Sequence, residues 1–478
     1  MKHNGETAMG KNGAIFKERS HQAMRYFCDV APSTLSHSSI SEHSATRILG
    51  LCALPLLQQP SAWGEAISLH GEVYRPLGAK RLAGSDDFKE FTFYISSDFS
   101  WDDGSAITAE DYARGINQLF LSRTNRFRNL LSDVEGFTDA RLGGMSVHSD
   151  RLVFKLRNAN RLFPLFFTFP ALSPLHAHNP DYAPGPYKIV SVSNQQGRMK
   201  ELKLAARWPT KAHQVEHIEF DFLHQLDQQD DIFGVARWQQ GLFDCTWDTF
   251  FPYELRRSDW GGNLHCSDPN IFVLLSQIDC VASPSFDALR MLSGFIEREH
   301  IIAACDGAPR AAFGFSPESI NGLSSKLAAH KISGPIIIGY EDFYPNKIIV
   351  NSIVDQLRQN QINCDAIVLD YGDRSRKTTL RLELFNNPFE DPILLFRNEL
   401  SKKYFYENHP VLWRQFLQLF SRYQISEWHT RKIIAGQLDE LLQQRGNFTP
   451  LLKLPGFQLR QPRVKDCSFT SGKLWEWS

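Results

Sequence analysis

Eight cysteines stand in this chain without a single CxxC pair, and no apolar run is long enough to cross a bilayer. Neither sign of charge dominates. Each absence removes a class of protein. Cys28, Cys52, Cys245, Cys266, Cys280, Cys305, Cys364 and Cys467 are scattered, which excludes zinc ribbons and thioredoxin-like redox motifs. They read as buried free thiols, and unpaired thiols suit a reducing compartment better than a secreted one. The most apolar stretch, residues 48–57 (ILGLCALPLL, after Arg47), is too short for a membrane helix and reads as a buried helix or strand segment. Residues 1–30 mix charge and polarity with no apolar core of a signal peptide. The expected location is therefore cytoplasmic, or periplasmic if a signal sequence is missing from this chain. Lys and Arg (52) balance Asp and Glu (53), so no large basic field exists and nucleic acid is not an expected partner of the chain on its own. GxSxG, HExxH, P-loop and Rossmann glycine fingerprints are all missing.

What remains is a chain of 478 residues, too long for one core and sized for two or three domains. From residue 90, EFTFYIS alternates like a strand and leads into WDDGSAITAEDY, residues 101–112. There Asp103-Gly104 supplies a turn. Thr108 followed by Asp111 resembles a capping box, and Tyr112, Ile116, Leu119 and Phe120 recur at a helical period. The run thus reads as scaffold. RLVFKL (151–156), GPYKIVSV (185–192) and VEHIEFDFL (215–223) read as strands. PIIIGY (335–340), an amphipathic helix over 346–361 and DAIVLDY (365–371) form the strand–helix–strand unit of a parallel sheet. Helical patterning covers 287–304 and 409–445, and the end from Lys453 reads as irregular and aromatic.

These landmarks stand in a telling order. Trp101-Asp102-Asp103-Gly104-Ser105-Ala106-Ile107-Thr108-Ala109-Glu110-Asp111, then Gly185-Pro186-Tyr187-Lys188-Ile189-Val190, then the turn Gly241 to Asp244, then FDALRMLSGFIERE over 286–299, resemble the motifs of the family 5 solute-binding proteins of ABC transporters, the peptide- and nickel-binding type. The resemblance implies an α/β, two-lobed periplasmic-binding-protein-like fold of type II, with an inserted subdomain in the first lobe and a ligand enclosed between lobes that close by a hinge. It implies a mobile extension over residues 1–27 and a first lobe from 28–48, 160–275 and 455–478. Residues 49–159 would form the inserted subdomain and 276–454 the second lobe.

The residues that read ligands in peptide binders of this type fit less well. The position of the amine-binding Asp falls on Pro388, that of a carboxylate-pairing Arg and its Tyr on Glu341 and Phe343 in EDFYPN, and that of a Glu on Leu54. A free peptide's charged ends would lack partners, and an unpaired buried charge costs several kcal/mol. A capped peptide, a sugar derivative or another neutral or cationic molecule is less contradicted.

Candidate ligand contacts are Trp247, Phe250 and Tyr253 just after the Gly241–Asp244 turn, Phe343, and the polar Asn386, Asn387 and Asp391. Each has a plainer reading: an aromatic core cluster for the rings, turn formation before Pro392 for Asp391. His176 and His178 stand two apart, as metal ligands on a strand can, but no third ligand is spaced nearby and no metal or cofactor is expected. His217 reads as packing on its strand. The expected function is a monomeric binding protein that encloses a small organic ligand as cytoplasmic sensor or carrier, with a protein partner or ABC transporter as further partners. A binding fold turned biosynthetic enzyme, and a transporter's peptide receptor without its signal, stay open as alternatives.

Overall fold

The computed structural model describes residues 23–32, 34–36, 40, 43–59, 66–123, 125–138, 141–195, 197–207, 215–222, 232–276, 289, 292–316, 335–370, 376–389, 391–400, 410–445 and 448–464. Strand β1 (Ala23–Cys28) opens the fold, earlier than the end of the extension expected over 1–27. Helix α1 (His43–Gly50) follows, and the apolar 48–57 run leaves it for the interior, with Leu54, Leu56 and Leu57 fully buried.

The chain then enters the stretch 49–159, expected to form an inserted subdomain. Strands β2 (Leu57–Gln58), β3 (Ile67–Leu69) and β4 (Glu72–Pro76) form a small sheet. Strands β5 (Ala79–Gly84), β6 (Glu90–Ile95), β7 (Met145–His148) and β8 (Arg151–Lys155) form a second, in the order β5-β6-β8-β7. Helix α2 (Ala109–Leu121) lies between β6 and β7, and its start is the predicted capping box: Asp111 N–H donates to the Thr108 hydroxyl while Thr108 N–H donates to the Asp111 carboxylate. Trp101 Nε1 donates to the same carboxylate at 3.2 Å and Arg114 at 2.7 Å. Burial alone would raise Asp111, but these donors more than reverse it and hold it below the usual carboxylate range. WDDGSAITAEDY is therefore a folding device. His176 completes it: its Nδ1 accepts the Asn179 amide at 2.9 Å, and its ring packs on Trp101 and Tyr182.

After the short helix α3 (Phe163–Phe166), strands β9 (Tyr187–Gln195), β10 (Arg198–Ala206) and β11 (His217–Phe222) return to the first sheet, in the order β1-β11-β10-β9 with β1 parallel to β11. Short helices α4 (Val235–Gln239) and α5 (Tyr253–Arg257) flank the loop that leads onward. Strand β12 (Leu264–Ser276) then carries the chain into the largest sheet. That sheet has the order β13-β17-β12-β16-β14-β15, built with β13 (Arg310–Ala311), β14 (Ile336–Glu341), β15 (Cys364–Leu369), β16 (Leu380–Asn386) and β17 (Phe448–Leu459). β14 is parallel to both β15 and β16, as the strand–helix–strand reading requires. Residues 453–459 are not irregular: they are the second half of the twelve-residue β17, paired along β12 because its alternating apolar residues fit a half-buried ladder, while 465–478 lie outside the described residues.

Alternation on β12 splits the largest sheet into two faces. Val273 and Leu275 face helices α6 (Arg298–Ala304) and α7 (Asn346–Gln359), where Ile349, Val350, Ile353 and Leu357 form one buried stripe. Phe272 and Leu274 face the other way, into a core that also holds helices α8 (Ile393–Leu400), α9 (Pro410–Ile425) and α10 (Trp428–Arg445). Helices α8, α9 and α10, expected in the second lobe, thus share a core with residues of the 49–159 stretch, expected as an inserted subdomain. Of the sequence motif over 286–299, residues 289 and 292–299 are described; Cys280 and Cys467 lie outside the described residues. Of the six described cysteines five are buried, and Cys266 is exposed, against the expectation of buried thiols throughout.

Candidate functional site

In open α/β sheets, ligands collect at the carboxyl ends of parallel strands, where backbone turns away and side chains converge. Here two such ends meet one loop. β1 ends at Cys28 and is followed at once by Asp29; β14 ends at Glu341 and is followed by Asp342, Phe343, Tyr344 and Pro345. Between them runs the segment 244–253, stitched into both sides. Phe27 N–H donates to Cys245 O at 3.0 Å on the first-lobe side. On the other, Thr249 and Phe457 of β17 exchange backbone bonds at 3.2 and 2.7 Å. Its anchor is Asp244, a buried carboxylate that accepts the Arg25 amide at 2.8 Å and the Arg463 guanidinium.

The side chains of this segment divide between the lobes. Trp247 is buried in the first-lobe core, and Phe250 in the core of the largest sheet, stacked on Tyr344 with ring centroids 5.8 Å apart. Tyr344 is pushed up to about 12 by burial and by nearby Cys305 and Asp306. Between the two aromatics, Asp248 accepts Arg47 Nη2 from α1 at 3.2 Å and the Ser267 hydroxyl from β12 at 2.7 Å. Gly456 of β17 lies directly beneath: a Cβ there would sit 1.9 Å from Asp248 Oδ1, so only glycine lets the carboxylate settle onto the crossing strand. Arg47 also lies over the Trp247 ring, 5.8 Å from its centroid. Beside this pair is Asp29, partly buried, with the Thr249 side chain and the backbone amides of residues 29 and 30 as its hydrogen-bond partners. Burial drives its pKa up to about 6, against those hydrogen bonds and a weaker pull from Arg47.

Four of the seven sequence candidates gather here. Trp247, Phe250 and Tyr253 share the segment, and Phe343 sits in the β14 turn next to Tyr344. Trp247 and Phe250 are each about 4 % exposed and serve as packing rings, while Tyr253 and Phe343 are half-buried. The other three belong elsewhere. Asn386 ends β16 opposite Ile271. Asn387 is buried and its amide donates to Asp391 O at 3.1 Å. Asp391 is held by internal partners: its carboxylate accepts the Tyr423 hydroxyl, Arg431 Nε at 2.8 Å and the Ile393 amide at 3.0 Å. The last of these is the turn before the helix that its position ahead of Pro392 suggested.

Arg431 extends that anchor across the fold, donating from Nη1 to Glu72 of β4 at 2.7 Å. Burial disfavours its charge, but Asp391 and Glu72 more than restore it. A parallel link has Arg397, its side chain wholly buried, reaching Asp133 and the Ser132 hydroxyl, with Asn160 and Gln424 also donating to Asp133. Two guanidinium–carboxylate links, Arg397 to Asp133 and Arg431 to Glu72, thus fasten helices α8–α10 to elements between residues 57 and 155.

Sequence reasoning missed Asp29, Arg47, Asp248, Thr249 and Ser267. The one local signal was the polar pair Asp248-Thr249 between two aromatics in CTWDTFF, a segment otherwise read for its rings. Among the described residues no group of His, Cys, Asp and Glu is arranged to hold a metal, and no helix is long and apolar enough to cross a membrane.

Superposition on solved structures decides the fold. OppA of Haemophilus influenzae in complex with RPPGFSPFR matches with a TM-score of 0.76 and 14% identity, over 94% of this chain and 96% of that one. The fold is that of the family 5 solute-binding proteins. The murein tripeptide binding protein MppA of Escherichia coli matches with a TM-score of 0.75 and 14% identity, over 96% of this chain and 99% of that one. Its unliganded open form matches less well, at 0.60 and 14% identity over 93% and 94%. No protein-family model matches the chain. In sequence, the probable deoxycholate-binding periplasmic protein YgiS of Escherichia coli (strain K12) is 25% identical over 244 residues, 47% of this chain and 44% of that protein. The match therefore spans less than half of this curated relative.

Proposed function

We propose that this chain is a solute-binding protein that encloses a small organic ligand at the junction of its lobes, between Asp29 and Thr249 on one side and the Phe343–Tyr344 turn on the other. The observation that carries the reading is the meeting of the β1 and β14 carboxyl ends on the segment 244–253, whose Trp247 and Phe250 root it in different cores. A site so placed gains contacts from both sides at once, and the free energy of closure then depends on occupancy. The named ligands of the matched structures, a nonapeptide for OppA and a murein tripeptide for MppA, support an organic ligand over a bare ion. The better match to OppA in complex than to the open MppA supports a closed arrangement.

The physiological role we favour is a sensor or carrier in the cytoplasm, where buried unpaired cysteines are stable. The likeness to YgiS favours a second reading, a transporter's receptor in the periplasm. Native mass spectrometry of the full chain, beside its denatured mass, tests the shared claim. A discrete extra mass lost on denaturation is expected; a clean unliganded mass together with no stabilisation by any metabolite in a thermal-shift screen contradicts it.

A further inference from the structure

The charges around the junction do not cancel. On the side of the first sheet, Arg47 pulls on Asp29 but is committed elsewhere: its guanidinium bonds Asp248 and covers Trp247. Arg47 and Asp248 are both about 10 % exposed and neutralise each other. On the opposite side Arg256 is similarly spent, donating to Phe251 O at 2.9 Å and Cys305 O at 3.2 Å with Asp306 at 3.8 Å. Arg257 turns its guanidinium onto the Tyr253 hydroxyl. Glu254 and Asp342 are exposed at the same rim. Asp29 has no ion pair among the described residues; Thr249 from the bridging segment bonds it, and Arg47 of α1 and Cys28 of its own strand interact with it electrostatically.

We infer that the junction takes a ligand bearing a positive charge, an ammonium or guanidinium group seated against the Asp29 carboxylate. The inference rests on the reading of the junction as the ligand site and adds the charge class to it. A carboxylate crowded by protein loses hydration, and with Arg47 already paired to Asp248 it gains most from a cation brought by a ligand. The Thr249 side chain and the amides of residues 29 and 30 hold the carboxylate in place, so the ligand's charge meets an oriented acceptor. An anion placed there would face Asp29 with Glu254 and Asp342 at the rim, and is disfavoured.

Thermal-shift titration of the full chain at pH 7.5 tests the inference, with agmatine, spermidine and choline as cationic probes, deoxycholate and glutarate as anionic ones, and glucose as a neutral one. At least one cation at 100-fold its Kd is expected to raise Tm by several degrees, about the stabilisation that ligand linkage gives at that excess. D29N is expected to abolish that shift while leaving the unliganded protein folded, because Asn keeps the shape and one acceptor oxygen. D342N, at the exposed rim, is expected to keep it. The wild-type shift should also shrink as pH falls through about 6, where Asp29 takes up a proton. A cation shift of equal size in D29N overturns the anchor. Stabilisation by deoxycholate, glutarate or glucose alone overturns the charge class while leaving the junction as a ligand site. If no probe binds and the chain purifies without a ligand, both readings fall together.

Discussion

Trp247 and Phe250 lie on one short segment yet are buried in different cores, Trp247 among the side chains of the first sheet and Phe250 among those of the largest sheet. A loop rooted in both bodies transmits any change in their separation to the residues between its roots. Those residues, Asp248 and Thr249, touch α1, β12 and β17, and Thr249 lies beside Asp29.

Truncating either root should therefore act on stability before it acts on binding. Trp247→Ala and Phe250→Ala are each expected to cost about 3–5 kcal/mol, the usual penalty for emptying a large buried aromatic site. Urea unfolding followed by tryptophan fluorescence and circular dichroism measures it. A loss below about 1 kcal/mol would show that the rings are not core residues but open surface.

The Arg431 link should behave as a buried pair. Asp391→Ala is expected to destabilise by about 3–5 kcal/mol because it leaves Arg431 with Glu72 as its carboxylate partner and takes the acceptor from the buried Tyr423 hydroxyl and the Ile393 amide, whereas Asp391→Leu combined with Arg431→Met should recover part of that loss. Equilibrium unfolding of both singles and the double gives the coupling energy. Additive losses would deny the pair any direct interaction.

Asp29 should leave a pH signature. Its folded pKa, about 6, lies above the ordinary value of 3.8, so its protonation favours the folded state. That contribution is fully present below the ordinary carboxylate pKa and is lost as pH rises through about 6. Asp29→Asn should make the unliganded protein about 1–2 kcal/mol more stable than wild type at pH 7.5, and near-equal to it at pH 4. Unfolding curves at the two pH values check the sign; a variant less stable than wild type at pH 7.5 would mean that the carboxylate is well paired.

Gly456 should tolerate no side chain. Gly456→Ala places a methyl 1.9 Å from Asp248 Oδ1 and 2.6 Å from Ser267 Oγ. The carboxylate must move, releasing Arg47 and Ser267, and a loss of about 1–3 kcal/mol is expected. Ligand-induced thermal shifts should weaken in the same variant, while those of Gly104→Ala, where open space surrounds the Cβ, should not.

Much of the fold was legible because local rules set it. The capping box at Thr108, the strand–helix–strand run from Ile336 to Leu369 and the stripe on α7 all follow from periodicity and turn chemistry. The second half of β17 was misread because its aromatic, proline- and glycine-containing text looks irregular until β12 lies beside it. The site was harder still. Asp391 looked like a free polar anchor, but Tyr423 and Arg431, which occupy it, come from helices far along the chain. Asp29 is not singled out by the sequence at all, and its partner Thr249 is likewise distant in sequence. Spacing reports what a residue does to its own segment; contacts between segments leave no such trace.

The central claim is that the ligand lies where the ends of β1 and β14 meet the segment 244–253. A crystal structure of the full chain carrying whichever metabolite co-purifies or stabilises it tests this most directly. The account predicts ligand density against Asp29 and Thr249 on one face and against the Phe343–Tyr344 turn on the other. Density confined to another surface, with the Asp29 carboxylate facing only protein, would contradict it.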